Sequence, residues 1–315
     1  MLCSIPIRRK QEVKTMNKTN FVGNRWKFTL VPVAIILIGV IFYFINGGFN
    51  FDIEFLGGTR MQVELGTQYD NDELSSYILD ETEVKVTVQK TTSDTQAIIK
   101  TPPIEDATKT KIVEAIKAKY SVGDDAVMSV STASPSFGSE VQRKTLTFAL
   151  LAIACILIYI AIRFELISAL MAIVALAVNV VVMYAVYAIT NIAMNTTFIA
   201  AMLTVIGYSI NNTIVIFDRI RENMKRYGGK KDNTIADIVN RSISESLGRT
   251  INSTITTLIT IVLLYIIGVT AIKEFALPLI IGIVIGAYTS IFVAGPFWAV
   301  WKQSKKDAKA AAARK

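Results

Sequence analysis

Amides and hydroxyls within long apolar stretches are the side chains of this sequence with the clearest chemical potential. Thr204, Tyr208 and Asn212 recur at intervals of four residues, which predicts that they share one face of a helix. Such groups hydrogen-bond between neighbouring membrane helices, at about 1 kcal/mol each. Amide oxygens also coordinate hard cations such as Na⁺, for which Asn179, Asn211 and Asn212 are the candidate ligands. The residues alone leave both roles open.

A second polar face is predicted further along the chain. Asn252, Thr256 and Thr260 repeat the spacing of four, and Arg249 lies about one turn before them. An arginine near hydrocarbon is costly unless it is paired or reaches water. Arg249 is therefore expected either to pair with an acid or to extend to the phosphate layer of the membrane. No acidic residue of this chain is an obvious partner.

No arrangement typical of an enzyme accompanies these polar groups. The chain contains no histidine, and neither a nucleotide-binding glycine-rich loop nor a nucleophile beside a base is recognisable. We therefore expect neither an enzyme activity nor a cofactor. The composition is 52% hydrophobic and 18% charged, which argues against an ordinary soluble protein, where about 25% of residues are charged.

The hydrophobic residues are concentrated in runs that contain no charged residue. A helix needs roughly 20 apolar residues to cross a bilayer. The runs predict six spanning helices, because the longest run, 166–217, is divided by a polar cluster at 190–195. The helices are placed at 27–46, 145–162, 166–189, 197–217, 251–270 and 276–298.

The distribution of charge predicts how these helices are oriented. Residues 47–140 hold 8 Lys and Arg against 16 Asp and Glu, a net charge of −8, whereas the whole chain carries +8. Cationic segments are retained in the cytoplasm. This predicts a cell (inner) membrane protein with both termini cytoplasmic. Its segments are a basic tail 1–26, helix 1 at 27–46, an external domain 47–144, helices 2–4 within 145–217, a cytoplasmic loop 218–250, helices 5–6 within 251–298 and a basic tail 299–315.

The external segment has the patterning of a small folded domain. Apolar and polar residues alternate over 59–65, as in a half-buried strand, and apolar residues recur at helical spacing over 112–120. With the remaining segments this predicts the order βαββαβ, a sheet with two helices on one face. The expected fold class is a multi-pass α-helical membrane protein with one external α+β domain between helices 1 and 2.

The loop 218–250 contains a second helical pattern. Ile235, Val239, Ile243 and Leu247 recur every four residues after Thr234, which begins a capping signature. This predicts an amphipathic helix. It would lie on the membrane surface or pack against protein, and the sequence favours neither.

The segment 205–223, Val-Ile-Gly-Tyr-Ser-Ile-Asn-Asn-Thr-Ile-Val-Ile-Phe-Asp-Arg-Ile-Arg-Glu-Asn, resembles the signature of SecF proteins, members of the SecD/SecF family in the resistance-nodulation-division superfamily. It includes Asp218 and Arg219. Three further stretches are similar to SecF motifs: 50–59 with Glu54, Gly57 and Gly58, then 163–165 and 244–252. The resemblance extends from about residue 24 to 300.

The resemblance implies a fold and a function. SecF proteins have six helices and an external domain described as ferredoxin-like. They act with SecD in late export through the Sec translocase, drawing on a proton or sodium gradient. The implied partners are a SecD-like membrane subunit, the Sec channel, unfolded secreted polypeptide and the lipid bilayer. Nucleic acid is not expected, because cytoplasmic retention and anionic lipid account for the basic tails.

Three positions depart from the SecF pattern. Asn212 stands where SecF proteins usually have Asp, Val178-Asn179 replaces a His-Asp pair, and Asn195 replaces a common acid. A carboxylate can take up and release a proton, whereas an amide cannot. Direct proton coupling is therefore doubtful, and the resemblance implies that SecD supplies a carboxylate for Arg249. The other interpretations are a passive scaffold subunit or an independent transporter half. The implied polar coupling residues are Asn195, Tyr208, Asn211, Asn212, Arg249 and Asn252.

Overall fold

The computed structural model describes residues 20–90, 95–163, 165–228 and 233–312. Most of the predicted N-terminal tail, Phe164 and the last residues of the C-terminal tail lie outside these ranges. The described residues divide into two compact units. The helical unit falls within 1–49, 149–192 and 197–315, and the α+β unit comprises 50–148 and 193–196.

The α+β unit contains the predicted order of strands and helices. A short helix α2 (Ile53–Leu56) precedes β1 (Gly58–Glu64), α3 (Asn71–Thr82), β2 (Thr87–Lys90), β3 (Gln96–Thr101), α4 (Asp106–Tyr120) and β4 (Val127–Ala133). The strands form one antiparallel sheet in the order β2-β3-β1-β4. Met61 and Val63 of β1 are buried with Leu74 of α3 and Ile112 of α4, so the two helices share the core with the sheet.

The helical unit is built from long apolar helices. They are α1 (Arg25–Ile45), the later part of α5 (Pro135–Arg163), α6 (Leu166–Thr190), α7 (Thr196–Tyr227), α8 (Ile235–Ile267), α9 (Thr270–Thr289) and α10 (Gly295–Ala312). A π-helical turn, Ser290–Ala294, joins α9 to α10. Within the described residues, six helical spans are long and apolar enough to cross a membrane, as the sequence predicts.

Close contacts between backbones fix the packing around α6. A Cβ at Gly39 of α1 would overlap Ala185 of α6, so these two helices cross with little space between them. α6 also packs against α9 and α10. At the end of α6, Asn191 adopts a left-handed conformation with φ of 52°. The chain therefore turns within the polar cluster where the sequence predicts a break.

The helix α8 differs from the prediction of a separate amphipathic helix before the fifth span. The two segments form one continuous helix, Ile235–Ile267, which starts at a capping box of Thr234 and Asp237. Ile235, Val239 and Ile243 are buried within the chain. Their burial favours the protein-contact role of this apolar face over a role on the membrane surface.

The predicted C-terminal tail also differs from the structure. The helix α10 continues from Gly295 to Ala312, well past the predicted end of the sixth span at 298. Its lysines therefore lie at fixed helical positions on a surface that is part of the helical unit.

Candidate functional site

A buried polar cluster lies among α6, α7 and α9. It consists of Asn179 of α6 with Ser209 and Asn212 of α7, all at most 2% exposed. Gly286 of α9 lies against it: a Cβ at this position would be 2.9 Å from Nδ2 of Asn179 and 3.1 Å from Oγ of Ser209. Asn179 and Ser209 thus converge on one point, and a larger residue at position 286 would force them to shift.

Several polar atoms of this buried polar cluster have no hydrogen-bond partner within the described residues. They are Nδ2 and Oδ1 of Asn179, Oγ of Ser209 and Nδ2 of Asn212. A buried polar group without a partner costs about 1–3 kcal/mol. Asn212, which the sequence predicts as a hydrogen-bonded link between helices, makes no such bond through its Nδ2 atom. The arrangement suits a small polar species, a water molecule or a cation, held between the helices.

A pair of hydroxyls lies beside the buried polar cluster at the π-helical turn. Oγ1 of Thr213 and Oγ of Ser290 are 2.8 Å apart. The Ser290 hydroxyl also donates to the carbonyl oxygen of Ser209 at 3.3 Å. Such π turns are rare and frequently occur at functional sites. Here the turn connects α9 to the backbone of α7 beside Ser209.

The residues of the predicted polar face of α7 differ in burial. Thr204 and Asn211 are exposed, Tyr208 is half-buried and Asn212 is buried. Tyr208 donates a hydrogen bond to Oγ1 of Thr257 on α8 at 3.3 Å. Each step of four residues turns the helix by about 40° beyond a full turn. Two steps therefore carry Asn212 away from Thr204 and into the protein.

The proposed sodium ligands are consequently not brought together. Asn179 and Asn212 are both buried, but Asn211 is exposed on another side of α7. Asn195 precedes α7 and belongs to the α+β unit, not to the buried polar cluster. The structure therefore separates Asn211 from Asn179 and Asn212, because adjacent residues of a helix point about 100° apart.

Both α7 and α8 carry exposed polar side chains, which together are called the exposed polar face. It consists of Thr204, Asn211, Arg249, Asn252 and Thr256. The structure gives Arg249 no ion pair among the residues that it describes. Polar and charged side chains directed at lipid are costly, so this face is unlike the rest of a lipid-facing surface.

The charged end of α7 is fastened to α8 by a hydrogen-bond network around Glu245. One carboxylate oxygen accepts from Nε of Arg219 at 2.7 Å and from Nδ2 of Asn223 at 2.8 Å. The other accepts from Nε of Arg241 at 3.0 Å. Asp218 pairs with Arg221 on the same helix. Arg219 and Asn223 thus hold the extension of α7 against the first half of α8, whereas Asp218 pairs within α7.

The glycine motif after α1 has a structural role within the α+β unit. Gly57 and Gly58 have φ of 78° and 138°, and a Cβ at Gly58 would overlap the carbonyl oxygen of Thr101. Glu54 accepts hydrogen bonds from Thr196, the first residue of α7. Residues 50–52 also exchange backbone hydrogen bonds with Met194. This motif therefore joins the start of the sheet to the 193–196 connection.

Comparisons with known proteins identify the family. The family model for the C-terminal part of the protein export membrane proteins SecD/SecF matches residues 112–304. The chain belongs to the SecD/SecF family. Protein translocase subunit SecF of Thermodesulfovibrio yellowstonii is 33% identical over 289 residues, which cover 90% of this chain and 95% of that protein. The resemblance inferred from the signature is confirmed.

Longer members of the SecD/SecF family match over part of their length. SecDF of Bacillus subtilis is 35% identical over 299 residues, which cover 92% of this chain and 39% of that protein. The crystal structure of SecDF from Thermus thermophilus, a translocon-associated membrane protein, matches with a TM-score of 0.78 and 30% identity. It covers 90% of this chain and 39% of that one. With its six apolar spans, this SecD/SecF family member is a multi-pass helical membrane protein.

Two residues at the buried polar cluster were not expected from the sequence. Ser209 and Ser290 belong to the polar environment around Asn179, and Gly286 makes the close approach possible. The spacing of three between Ser209 and Asn212 places both on one helix face and could have indicated Ser209. Ser290 has no such local signal, because its contacts join distant parts of the chain. Gly286 has one, since the spacing Gly282-x-x-x-Gly286 predicts a close approach between helices.

Proposed function

We propose that this chain is a SecF-type accessory subunit of the Sec translocase. It acts with a SecD-like membrane subunit to promote the late stage of protein export, drawing on an ion gradient. The single observation that carries the proposal is the exposed polar face of α7 and α8. A face of this kind within membrane spans calls for a protein partner rather than lipid.

Open glycines beside this face support a helical partner. No heavy atom of the described residues lies within 4 Å of the Cβ position of Gly207 or Gly248. Small residues allow helices to approach closely in membranes, and hydroxyls and amides then hydrogen-bond across the interface. Gly207 lies three residues after Thr204 and four before Asn211, and Gly248 lies four before Asn252, so each glycine shares a helix face with members of the exposed polar face.

The longer relatives named SecDF indicate the identity of the partner. This chain matches 39% of SecDF from Bacillus subtilis and 39% of SecDF from Thermus thermophilus. The remainder of such a protein is the natural candidate for the second subunit. An independent transporter would need two equivalent six-helix halves. This chain provides one half, and a SecD-like chain would provide the other.

Proton coupling in this assembly depends on the partner. Asn179 and Asn212 carry amides at positions where a relay needs a titratable group. Arg249 is exposed on the face assigned to the partner. A carboxylate of the SecD-like subunit beside Arg249 would pair with its charge and exchange protons. A passive scaffold subunit is the alternative in which no such carboxylate is required.

Sodium coupling is a second candidate function, favoured by one observation. Oδ1 of Asn179 and Oγ of Ser209 are oxygens without a partner within the described residues, and both are buried. Neutral oxygens suffice as Na⁺ ligands in principle. The oxygens available as ligands are therefore Oδ1 of Asn179 and Oγ of Ser209, without Asn211.

The proposed topology follows from the charge distribution. Both termini and the charged ends of α7 and α8 lie in the cytoplasm, since cationic segments are retained there. The α+β domain lies outside, where it meets the unfolded polypeptide that leaves the Sec channel. Its βαββαβ order supports the ferredoxin-like assignment. The membrane is the cell membrane.

A variant of the exposed polar face tests the proposal. Gly207→Trp fills the open space on α7, whereas Val181→Trp alters an apolar residue of α6 that is 45% exposed. Co-purification of a second membrane subunit in mild detergent is the measurement. We expect Gly207→Trp to lose the subunit and Val181→Trp to retain it. Equal recovery with both variants would contradict the proposed interface.

A further inference from the structure

A pocket lies at the charged end of the helical unit, bounded by the starts of α6 and α8 and by the last turns of α10. Its volume is about 880 Å³, within the range of small-molecule sites. Lys302, Lys305 and Lys306 of α10 line one wall. Because successive lysines at these positions follow the turn of the helix, α10 presents several positive charges to a single cavity.

The pocket has an excess of positive charge. Among the lining residues that the structure describes, Glu165 is the one acidic residue, and its carboxylate is 2.9 Å from Nζ of Lys302. Nζ of Lys305 lies 5.8 Å from the ring of Trp301. Within the described residues, Lys306 has no ion pair. One carboxylate against three ammonium groups leaves a cavity suited to an anion.

The opposite wall of the pocket is apolar. Ile167, Ile235 and Ile238 line it and are themselves buried. Leu166 also lines the pocket and is 69% exposed, so the apolar wall continues onto the outer surface of the helices. A ligand that fits both walls carries an anionic group at one end and hydrocarbon at the other. A free anion would leave the apolar wall without a contact.

We propose that this pocket binds an anionic phospholipid. The headgroup phosphate lies among Lys302, Lys305 and Lys306, and an acyl chain leaves the pocket over Leu166. Basic pockets between membrane helices on the cytoplasmic side bind anionic headgroups in this manner. The assignment rests on the proposed topology only for its location in the inner leaflet, because the chemistry of the pocket is independent of orientation.

Native mass spectrometry of the purified full chain in mild detergent tests the proposal. Phosphatidylglycerol and phosphatidylcholine are added separately, and the bound fraction is measured for each. We expect the chain to retain phosphatidylglycerol preferentially. The triple variant Lys302→Gln, Lys305→Gln, Lys306→Gln should lower this retention about tenfold or more. The matched control, Lys109→Gln, Lys111→Gln, Lys117→Gln on α4, changes the net charge equally and should leave it unchanged.

Two single substitutions separate a defined pocket from general electrostatic attraction. Glu165→Gln removes the carboxylate beside Lys302 and should raise the retention of phosphatidylglycerol. This substitution removes no helix cap, since the Glu165 side chain makes no capping hydrogen bond. Ala308→Trp fills the pocket without a change of charge and should lower retention.

Three results would overturn the lipid site. They are equal loss of phosphatidylglycerol in the pocket and control triple variants, unchanged retention in Ala308→Trp, and displacement of the lipid by inorganic phosphate at an equal concentration. Each measurement is made in detergent on one chain. Failure of the lipid site is therefore distinguishable from failure of the topology or of the association with a second subunit.

Discussion

The carboxylate of Glu54 accepts two hydrogen bonds from Thr196, with its Oε2 atom 2.9 Å from the backbone nitrogen and 2.6 Å from Oγ1. Thr196 is the first residue of α7, whose free N–H groups favour a negative charge. The motif Glu54-x-x-Gly57-Gly58 thereby supplies an N-terminal cap to the helix that carries the family signature. Both residues belong to the α+β unit.

Glu54→Ala is expected to loosen the first turn of α7. The loss of an N-terminal cap costs about 1 kcal/mol. Hydrogen exchange of the amides of residues 196–199 and thermal unfolding in detergent are the measurements. Glu54→Gln keeps an acceptor and should have a smaller effect. Glu114→Ala, at an exposed position of α4, is the matched control and should not alter this exchange. Equal protection of α7 in all variants would contradict the capping role.

Gly286→Ala is expected to destabilise the helical unit. The added Cβ would lie 2.9 Å from Nδ2 of Asn179 and 3.0 Å from Cβ of Ser209. Overpacking of this kind costs about 1–3 kcal/mol, which exceeds the gain of up to about 1 kcal/mol from the better helix propensity of alanine. Gly248→Ala is the control, because the space around that position is open and alanine is the better helix former. A lower unfolding temperature for Gly286→Ala alone is the expected result, and equal values would contradict the close approach.

Much of the architecture could be predicted because its signals are local. Charge-free runs predict the six spans, and alternation with helical spacing predicts the βαββαβ order. The capping box at Thr234 was also predicted and is confirmed. The continuity of α8 was not predicted. The sequence is polar before residue 251 and apolar after it, so the two stretches were assigned to separate helices although one helix contains both.

The candidate site was predicted less completely than the fold. Spacing alone grouped Thr204 with Asn212, although drift along the helix separates them into an exposed and a buried residue. The approach of Gly286 to Asn179 depends on how α9 packs against α6. Such contacts between distant segments leave no local pattern, so the place of Ser290 and the residues that Gly286 approaches could be found only from the structure.

Glu245→Gln is expected to weaken the joint between α7 and α8. The substitution removes a charge that serves Arg219, Asn223 and Arg241 from a side chain that is only 19% exposed. Hydrogen bonds to charged groups contribute about 1.5–3 kcal/mol. Glu222→Gln removes an exposed partner of Arg219 and should cost at most about 1 kcal/mol. Urea unfolding in detergent compares the two, and a larger loss for Glu222→Gln would contradict the role of Glu245.

Asn179→Leu tests what occupies the buried polar cluster. The substitution removes two buried polar atoms without partners in the described residues. We therefore expect the free energy of unfolding to be unchanged or raised by at most about 1–3 kcal/mol. Asn211→Leu, at an exposed amide, is the control. Unfolding is measured in sodium and in choline salts. If sodium stabilises the natural chain and Asn179→Leu abolishes that effect, the cluster binds Na⁺. Coupling would then use sodium and would not require a carboxylate of the partner.

Proton flux into sealed vesicles tests the central claim most directly, that coupling in this subunit depends on a carboxylate from its partner. The chain is reconstituted alone and with the SecD-like subunit, and an internal dye follows the decay of an imposed pH difference. We predict that the chain alone matches protein-free vesicles and that the pair accelerates the decay. Faster decay with the chain alone, lost in Asn212→Leu, would contradict the account.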